Sequence, residues 1–109
     1  MSMLMIGWTT VTTEAAANVL ARGLVENQLA VCVQIDGPIT SIYRLDDETK
    51  SSTEYRLMVK FLEEQSEAIE RHLEVAHPYD TPQWIVASAK HVAEKYLSWA
   101  KANSTSLSL

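Results

Sequence analysis

The sequence is poor in the residues that build disulfides, phosphate-binding loops and nucleophile turns. It contains one cysteine, three glycines and three prolines in 109 residues. The single cysteine, Cys32, excludes an intramolecular disulfide and fits a reducing compartment. Three isolated glycines cannot form GxGxxG or GxxxxGK[ST], and no GxSxG motif occurs. We therefore expect no centre for acyl or phosphoryl transfer.

Basic charge and long apolar runs are also scarce. Nine Lys and Arg against 14 Asp and Glu give a net charge of −5 at pH 7. That balance favours solubility and opposes binding to nucleic acid or anionic lipid. No apolar run approaches the ~18 residues of a membrane span. The start, Met1–Thr10, has no basic residue before its short apolar run, so we expect no export signal and no membrane partner.

The first quarter of the chain predicts a strand followed by a helix. The run Met3–Trp8 is typical of a strand buried on both faces. Thr12 or Thr13 can cap a helix that extends to about Asn27, with apolar residues recurring at i, i+4 and i+8. Gly23 lies inside this helix, and we expect close backbone packing there.

The centre of the chain predicts a long hairpin. Strand character runs over Ala30–Ile35 and resumes over Ile39–Leu45, with a bulge or kink at Gly37-Pro38 between them. Asp46–Ser52 is expected to carry the turn, and residues 54–61 alternate with period two. An arm of about fifteen residues spans roughly 45 Å at ~3.3 Å per residue. Because a domain of this size has a radius of gyration of ~13 Å, the tip should project and need a second copy of the chain to cover it.

The second half predicts a helix, a loop, a short strand and a last helix. The buried stripe of the first of these helices is expected to comprise Leu62, Ile69, Leu73 and Ala76. His77–Gln83 contains two prolines and must be a loop, and Trp84–Ala87 reads as the fourth strand. The stripe of the last helix is expected to comprise Val92, Tyr96 and Trp99.

This order predicts the α+β class, with one domain over residues 1–109 and a frayed tail at Ser104–Leu109. Strand, helix, strand, strand, helix, strand is the ferredoxin-like βαββαβ sandwich, here with a long hairpin and an extra C-terminal helix. The helices are expected on one face of an antiparallel sheet, with the other face left for self-association.

Histidine and cysteine decide whether a metal site is conceivable. The three histidines form no i, i+4 pair, and one cysteine excludes a CxxC motif. We expect His72 to be solvated on a helix surface, His91 to have no special role, and Cys32 to be a small buried apolar residue. His77 begins a rigid loop beside Tyr79, where functional groups are often mounted. A structural turn role and a functional role are both open for it.

Four stretches, taken in order, resemble the CutA family of divalent-cation tolerance proteins. They are Leu29–Val33, Ile39–Tyr43, His77–Pro82 and Tyr96–Trp99. The likeness covers Met5 to Ala102, and the HPYxxP loop combined with the terminal YLxW makes it specific. The resemblance implies a ferredoxin-like fold, a tight homotrimer knit by long hairpins, a cytoplasmic location and an architectural likeness to the PII signalling proteins.

The resemblance also implies a function and a site. The family is linked to tolerance of divalent cations, and copper binding is attributed to some members. The implied ligand cleft lies between subunits and comprises Cys32, Lys60, His77, Tyr79, Gln83 and Trp99. No catalytic residue and no certain cofactor are implied, and His77 is the one candidate metal ligand. We expect at most weak binding of Cu(II) or another divalent cation.

The chain departs from the family pattern at positions that matter to a metal site. Thr9 and Ala76 stand where some copper-binding members carry a cysteine and a second histidine. Gln83 stands where a carboxylate follows the proline, and Arg44–Asp47 lacks the usual Trp and Gly of the hairpin. Since copper or zinc requires three or four N, S or carboxylate ligands, a tight site would need another subunit.

These observations favour a homotrimeric binding or sensing protein for metal-ion response and tolerance, without intrinsic catalysis. One alternative is an enzyme that uses the inter-subunit cleft, with His77 and Tyr79 as proton-transfer groups and Lys60 holding an anion. Strongly perturbed pKa values in a closed pocket would favour it. Another alternative is a structural trimer that presents or stabilises partner proteins, which a flat cleft without a ligand would favour.

Overall fold

The computed structural model describes residues 3–104 and has the predicted order of elements. The strands are β1 (Leu4–Val11), β2 (Cys32–Leu45), β3 (Glu48–Leu62) and β4 (Ile85–Ser88). The helices are α1 (Glu14–Glu26), α2 (Ser66–Ala76) and α3 (Glu94–Ala102), with a short 3-10 turn at Glu63–Gln65. The βαββαβ order with an extra C-terminal helix is thus confirmed. Apart from Ser104, the predicted frayed tail lies outside the described residues.

The four strands form one antiparallel sheet in the order β2-β3-β1-β4. β1 pairs with β3 along its whole length, from Leu4 opposite Leu62 to Val11 opposite Tyr55. β4 pairs with the other side of β1 over four residues. β1 and β3 are therefore central, β2 and β4 are edges, and the sheet has the predicted ferredoxin-like layout.

The main core lies between the sheet and the pair α1 and α2. Its buried members are Val11, Ala17, Leu20, Ala21, Leu24, Ala30, Leu57, Val59, Phe61, Ile69 and Leu73. A smaller cluster of Leu4, Val31, Leu62 and Ala100 lies on the opposite face, beneath α3. Because side chains alternate across a strand, Leu4 and Leu62 point away from the main core. α3 therefore covers one end of the face that was expected to be free.

Two predicted helical stripes need correction. Leu62 does not belong to α2: it ends β3 and is buried under α3, because the helix begins only at Ser66. Ala76, in the last turn of α2, is exposed. Val92 precedes α3, and Trp99 is 44% exposed. The fully buried residue of this helix is Ala100.

Helix α1 begins and ends as the sequence predicts. The Thr13 hydroxyl accepts a hydrogen bond from the Ala16 amide at 3.1 Å, which caps the first turn. The Asn27 amide closes the last turn on the Gly23 carbonyl at 3.2 Å. The predicted close backbone packing at Gly23 is wrong, since a methyl group there would meet His72 Nε2 at 3.4 Å, an ordinary contact.

The hairpin has the predicted long first arm, a longer second arm than predicted and a tighter turn. The strands have 14 and 15 residues and give the molecule a long axis of 47 Å, against 27 and 24 Å in the other directions. The register shifts between Asp36 and Ile39, which confirms the bulge. The turn is not Asp46–Ser52 but the two residues Asp46 and Asp47, with φ of 52° and 63°. Two turn residues in the left-handed conformation match the twist of paired strands. The polar residues 48–52 that follow the turn can therefore pair with β2 as part of β3.

The fourth strand is shifted by one residue from its predicted position. Trp84 precedes it and packs its ring against Phe61, with 5.9 Å between the ring centroids. The four residues of β4 are exposed, including the apolar Ile85 and Val86. Within residues 3–104, no helix is long and apolar enough to cross a membrane.

Candidate ligand-binding site

The loop after α2 folds back onto the end of β1. Pro78 disfavours helical conformation in the residue before it, so α2 ends at Ala76 and His77 is extended, with ψ of 133°. The His77 amide still closes the helix on the Leu73 carbonyl at 2.9 Å. The His77 side chain is only 7% exposed. The proline thus directs a histidine into the protein rather than into solvent.

Both nitrogens of the His77 ring are hydrogen-bonded. The Tyr79 amide donates to Nδ1 at 3.0 Å, and Nε2 lies 2.9 Å from Thr9 Oγ1. Because Nδ1 accepts, the neutral ring carries its proton on Nε2 and donates it to the Thr9 hydroxyl. Burial lowers the pKa of His77 and outweighs the opposing influence of the Thr10 backbone and of Glu54. His77 is therefore a neutral group that fixes the loop.

Tyr79 connects this loop to the hairpin. Its hydroxyl donates to Glu54 Oε2 at 2.7 Å and lies 3.0 Å from Thr12 Oγ1. Since the phenol has one proton, which goes to the carboxylate, Thr12 is the donor in the second bond. Burial, together with the neighbouring Glu54, raises the pKa of Tyr79. The phenol stays protonated at neutral pH.

Glu54 is a nearly buried carboxylate, 9% exposed, on β3. Burial alone would raise its pKa, but hydrogen bonds from Ser41, Tyr79 and Thr10 outweigh burial and hold the pKa below its ordinary value. Among residues 3–104, none of the ion pairs that form involves Glu54. The carboxylate is therefore charged at neutral pH and is stabilised by neutral donors.

Glu54 and Tyr79 lie in the wall of an open groove of about 800 Å³ between the hairpin and the loop. We call it the Glu54 groove and define it by Glu54, Tyr43, Tyr79, Gln83 and the neighbouring hydroxyl residues Thr10 and Ser41. No Lys, Arg or His is among the described residues that line it. The groove therefore combines one fixed negative charge with hydroxyl, amide and aromatic groups.

The residues of the implied ligand cleft fall into two groups within one chain. Tyr79 and Gln83 line the Glu54 groove, and His77 lies behind them, bonded to the Tyr79 amide. Cys32 and Lys60 are cross-strand partners near α3, where Lys60 Nζ lies 5.6 Å from the centre of the Tyr96 ring. Trp99 joins this second group through the Tyr96 ring, at 5.4 Å between centroids.

The two groups are well separated. Glu54 and Lys60 are six residues apart on β3, or roughly 20 Å at ~3.3 Å per residue. A cleft containing both groups would therefore have to include a second copy of the chain.

The other histidines take no part in the site. His72, predicted to be solvated on the helix surface, is partly buried beside Gly23, and His91 is exposed before α3. Glu54 is the site residue that sequence reasoning missed. It occupies a polar position of an alternating strand, and only the folded chain places the Tyr79 hydroxyl, 25 residues away, over its carboxylate.

No ready metal centre is present in the described part of the chain. No group of three or more His, Cys, Asp or Glu is arranged there to hold a metal ion. A metal bound at His77 would have to displace either the Thr9 hydroxyl or the Tyr79 amide from the ring. Metal binding at His77 stays a prediction, and the geometry favours a weak affinity.

A family model and the similar proteins of known sequence indicate the same family. A family model described as CutA1 divalent ion tolerance protein matches residues 5–103. The divalent-cation tolerance protein CutA of Thermus thermophilus is 33% identical over 94 residues, covering 86% of this chain and 91% of that protein. The chloroplastic protein CutA of Arabidopsis thaliana is 34% identical over 98 residues, covering 90% of this chain. This chain spans 53% of that longer relative.

Solved structures of the same family superpose closely. CutA1 from Oryza sativa matches with a TM-score of 0.92 and 29% identity over 94% of each chain. CutA from Synechococcus elongatus matches with a TM-score of 0.91 and 33% identity, covering 96% of this chain and 93% of that one. The long hairpin and the third helix are thus shared features of the matched fold.

Proposed function

The chain belongs to the CutA1 divalent ion tolerance family, and on this premise we propose that it is a homotrimeric binding or sensing protein. Its role is in the response and tolerance to divalent metal ions, without intrinsic catalysis. The observation that carries the proposal is the Glu54 groove, where Glu54 and Tyr79 are each held in one protonation state and the neighbouring His77 fixes the Tyr79 loop.

The protonation states favour binding over turnover. A general acid or base works best with a pKa near the operating pH and a lone pair or proton free for the substrate. His77 has both ring nitrogens engaged, and Tyr79 gives its only proton to Glu54. The groove is also open to solvent rather than closed. These features weigh against the enzyme alternative.

Self-association is supported by what one chain leaves uncovered. Ile42, near the tip of the hairpin, is 73% exposed, and Leu45 and the β4 residue Ile85 are also largely exposed. Long strands that project with apolar side chains require a partner surface. The number three comes from the family resemblance.

Direct metal binding is expected to be a minor part of the role. Thr9 replaces a potential ligand and occupies His77 Nε2, and the described residues around it supply no third ligand. Tolerance would then depend on a ligand other than the metal itself, or on a protein partner. The proposed location is the cytoplasm, which cell fractionation can test.

Native mass spectrometry with and without Cu(II) and Zn(II) tests assembly and metal uptake together. We expect a trimer at low micromolar concentration and no stoichiometric uptake at micromolar metal. A stable monomer would overturn the assembly. For the biological role, growth at raised Cu(II) should be measured in a host that lacks its own CutA protein, with the wild-type chain restoring tolerance and Glu54→Gln restoring it less. If the wild-type chain and Glu54→Gln restore copper tolerance equally, the Glu54 groove is not needed for the function.

One further observation favours the role of a structural trimer that presents partner proteins. An apolar groove of about 420 Å³ lies between α1 and α2, on the side of the sheet that the main core occupies. Val19 and Val75 on these helices are 75% and 89% exposed. Under this alternative, Val19→Asp with Val75→Asp would abolish tolerance without changing the trimer mass, whereas Glu54→Gln would leave tolerance intact.

A further inference from the structure

The Glu54 carboxylate gives its groove a fixed negative charge. A carboxylate taken out of water is costly unless it is paired or hydrogen-bonded. Here Tyr79 donates at 2.7 Å, Ser41 and Thr10 add hydrogen bonds, and the neighbouring His77 favours the charged form, but no Lys or Arg pairs with the carboxylate. No ion pair in the described part of the chain neutralises it either. The groove therefore has a polar but electrostatically incomplete wall, which a positively charged ligand would complete.

Two other ligand classes fit this wall poorly. A carboxylate or phosphate ligand would face Glu54 with no Lys, Arg or His among the described lining residues, so like charges would oppose its binding. A bare divalent ion needs several carboxylate, imidazole or carbonyl ligands at short distance. Within residues 3–104 no group of three or more His, Cys, Asp or Glu side chains is arranged to hold a metal ion. Anions and bare metal ions are therefore disfavoured.

An organic ammonium group matches the chemistry of the groove. It presents up to three N–H donors and no acceptor. The lining offers the Glu54 carboxylate, the hydroxyl oxygens of Thr81 and Ser52 and the carbonyl of Gln83 as acceptors. Aromatic rings attract cations through their faces, and Tyr43 lies in the same lining. The net charge of −5 also raises the local concentration of cations.

The size and apolar part of the groove indicate a short aliphatic chain. A volume of about 800 Å³ falls within the range of small-molecule sites. Pro82 and the ring of Tyr43 contribute apolar surface beside the polar groups. Methylene groups can lie on such surface while the charged end stays on the carboxylate.

We propose that the Glu54 groove binds a small aliphatic amine in its ammonium form, with the charged group on the Glu54 carboxylate. This inference rests on the proposed function, because it names the ligand class of the same groove. The groove of one chain supplies the contacts to the ammonium group, so Cys32 and Lys60 near α3 are not required for binding.

Calorimetric titration of the purified oligomer in EDTA at pH 7 tests the proposal. The probe is 1,4-diaminobutane, with 1,4-butanediol as its neutral analogue and succinate as its anionic one. We expect the diamine to bind, the diol to bind at least tenfold more weakly, and succinate not to bind. Glu54→Gln should weaken the diamine at least tenfold, because it removes the charge and keeps the shape. Equal affinity for diamine and diol would overturn the proposal.

Matched variants separate a local effect from a change in net charge or folding. Glu67→Gln removes an exposed carboxylate that pairs with Arg71 on α2, and should change diamine affinity less than twofold. Gln83→Lys places a positive charge at an exposed edge of the groove, where folding is not at risk, and should also weaken the diamine at least tenfold. Diamine binding that survives both Glu54→Gln and Gln83→Lys would refute the site. If the diamine does not bind, the conclusions on the trimer and on metal uptake still stand, because native mass spectrometry measures them separately.

Discussion

Thr9 and His77 are joined by a hydrogen bond of 2.9 Å although 68 residues separate them in the sequence. The bond fastens the loop after α2 to β1. The same ring accepts the Tyr79 amide, so a single imidazole sets the direction in which the Tyr79 side chain leaves the loop. The position of the phenol over Glu54 thus depends on His77, which makes His77 a positioning residue.

Replacing His77 by alanine should destabilise the protein. The change leaves the Thr9 hydroxyl and the Tyr79 amide without their partner, and an unsatisfied buried polar group costs about 1–3 kcal/mol. We expect the free energy of unfolding, measured in urea at fixed protein concentration, to fall by about that amount. His91→Ala removes an exposed histidine and should change it by less than about 0.5 kcal/mol. Equal effects would mean that the buried hydrogen bonds contribute nothing.

Stability should depend on pH through the same ring. The pKa of His77 lies below its ordinary value of 6.5 because the ring is buried. Between the lowered pKa of the folded protein and the ordinary value, the unfolded chain binds more protons than the folded chain. The free energy of unfolding therefore rises with pH in this range. The contribution of His77 is therefore complete above about pH 6.5 and is lost as the pH falls towards the lowered value. Glu54, whose pKa lies below 4.5, adds a loss only at lower pH.

The pH prediction is checked by urea unfolding from pH 7.5 to 5 in EDTA. The wild-type free energy of unfolding should decrease across this window, and in His77→Gln the slope should be smaller. A slope that is the same in both proteins would show that another group titrates. A wild-type curve that is flat over the window would contradict the lowered pKa.

The sequence predicts the fold well because its signals are local. The Thr13 cap, the proline after α2 and the period-two alternation of β3 each act within a few residues. The hairpin turn was misplaced because residues 48–52 are polar. They form strand only because two aspartates adopt left-handed conformations and bring the strands into register.

The site was harder to predict because its contacts are distant in the chain. The loop residues His77 and Tyr79 could be singled out as candidates, since a proline-bracketed loop with polar side chains is a local pattern. Glu54 was missed, because its burial follows from the loop folding over β3 rather than from its neighbours in sequence. No pattern in one sequence specifies that hydroxyls from Ser41 and Thr10 meet the carboxylate.

Metal affinity should be weak and should run through His77. We expect copper or zinc to bind more weakly than micromolar, through neutral imidazole, and to be lost only as the pH falls towards the lowered pKa of His77. His77→Ala should abolish this binding in calorimetric titration, and His72→Ala should not. A tight site that survives His77→Ala, or one that requires Cys32, would contradict this assignment.

Thr9→Cys tests the same metal site by an expected gain in zinc affinity. A thiol at this position would lie beside His77 Nε2, where the Thr9 hydroxyl is now, and thiolate with imidazole is a favoured donor pair for zinc. We expect zinc affinity under reducing conditions to rise at least tenfold. Thr12→Cys is the matched control, because Thr12 contacts the Tyr79 hydroxyl and not the ring. An equal gain in both variants would indicate non-specific thiol binding.

Assembly should depend on the hairpin and not on the helices. Ile42→Asp places a charge on an apolar side chain that we expect to be covered in the trimer, where an unpaired charge is costly. Sedimentation velocity at low micromolar concentration should then show smaller species. Val19→Asp, at an equally exposed position on α1, should stay trimeric. If Val19→Asp dissociates the assembly and Ile42→Asp does not, the interface lies on the helical side.

Folding and assembly are expected to be one event in the wild-type chain. The apparent melting temperature should then rise with protein concentration, because association stabilises only the folded state. Heating curves recorded over a hundredfold dilution check this, and curves that superimpose would show that each chain folds alone.

Two glycines should respond in opposite directions to the same substitution. A methyl group at Gly7 would overlap the six-membered ring of Trp84, which packs on the strand at that point. At Gly23, in α1, a methyl group would make only an ordinary contact with His72 at 3.4 Å. Gly23→Ala should therefore stabilise the protein by about 0.5–1 kcal/mol, the usual gain from replacing glycine inside a helix.

Gly7→Ala should destabilise the protein by about 1–3 kcal/mol, because the overlap forces Trp84 away from Phe61. Urea unfolding of the single and double variants checks the cause. In a Trp84→Leu background the smaller side chain leaves room for the methyl group, so the added cost of Gly7→Ala should fall below about 0.5 kcal/mol. If Gly7→Ala costs the same in both backgrounds, the penalty belongs to the backbone of β1 and not to the indole.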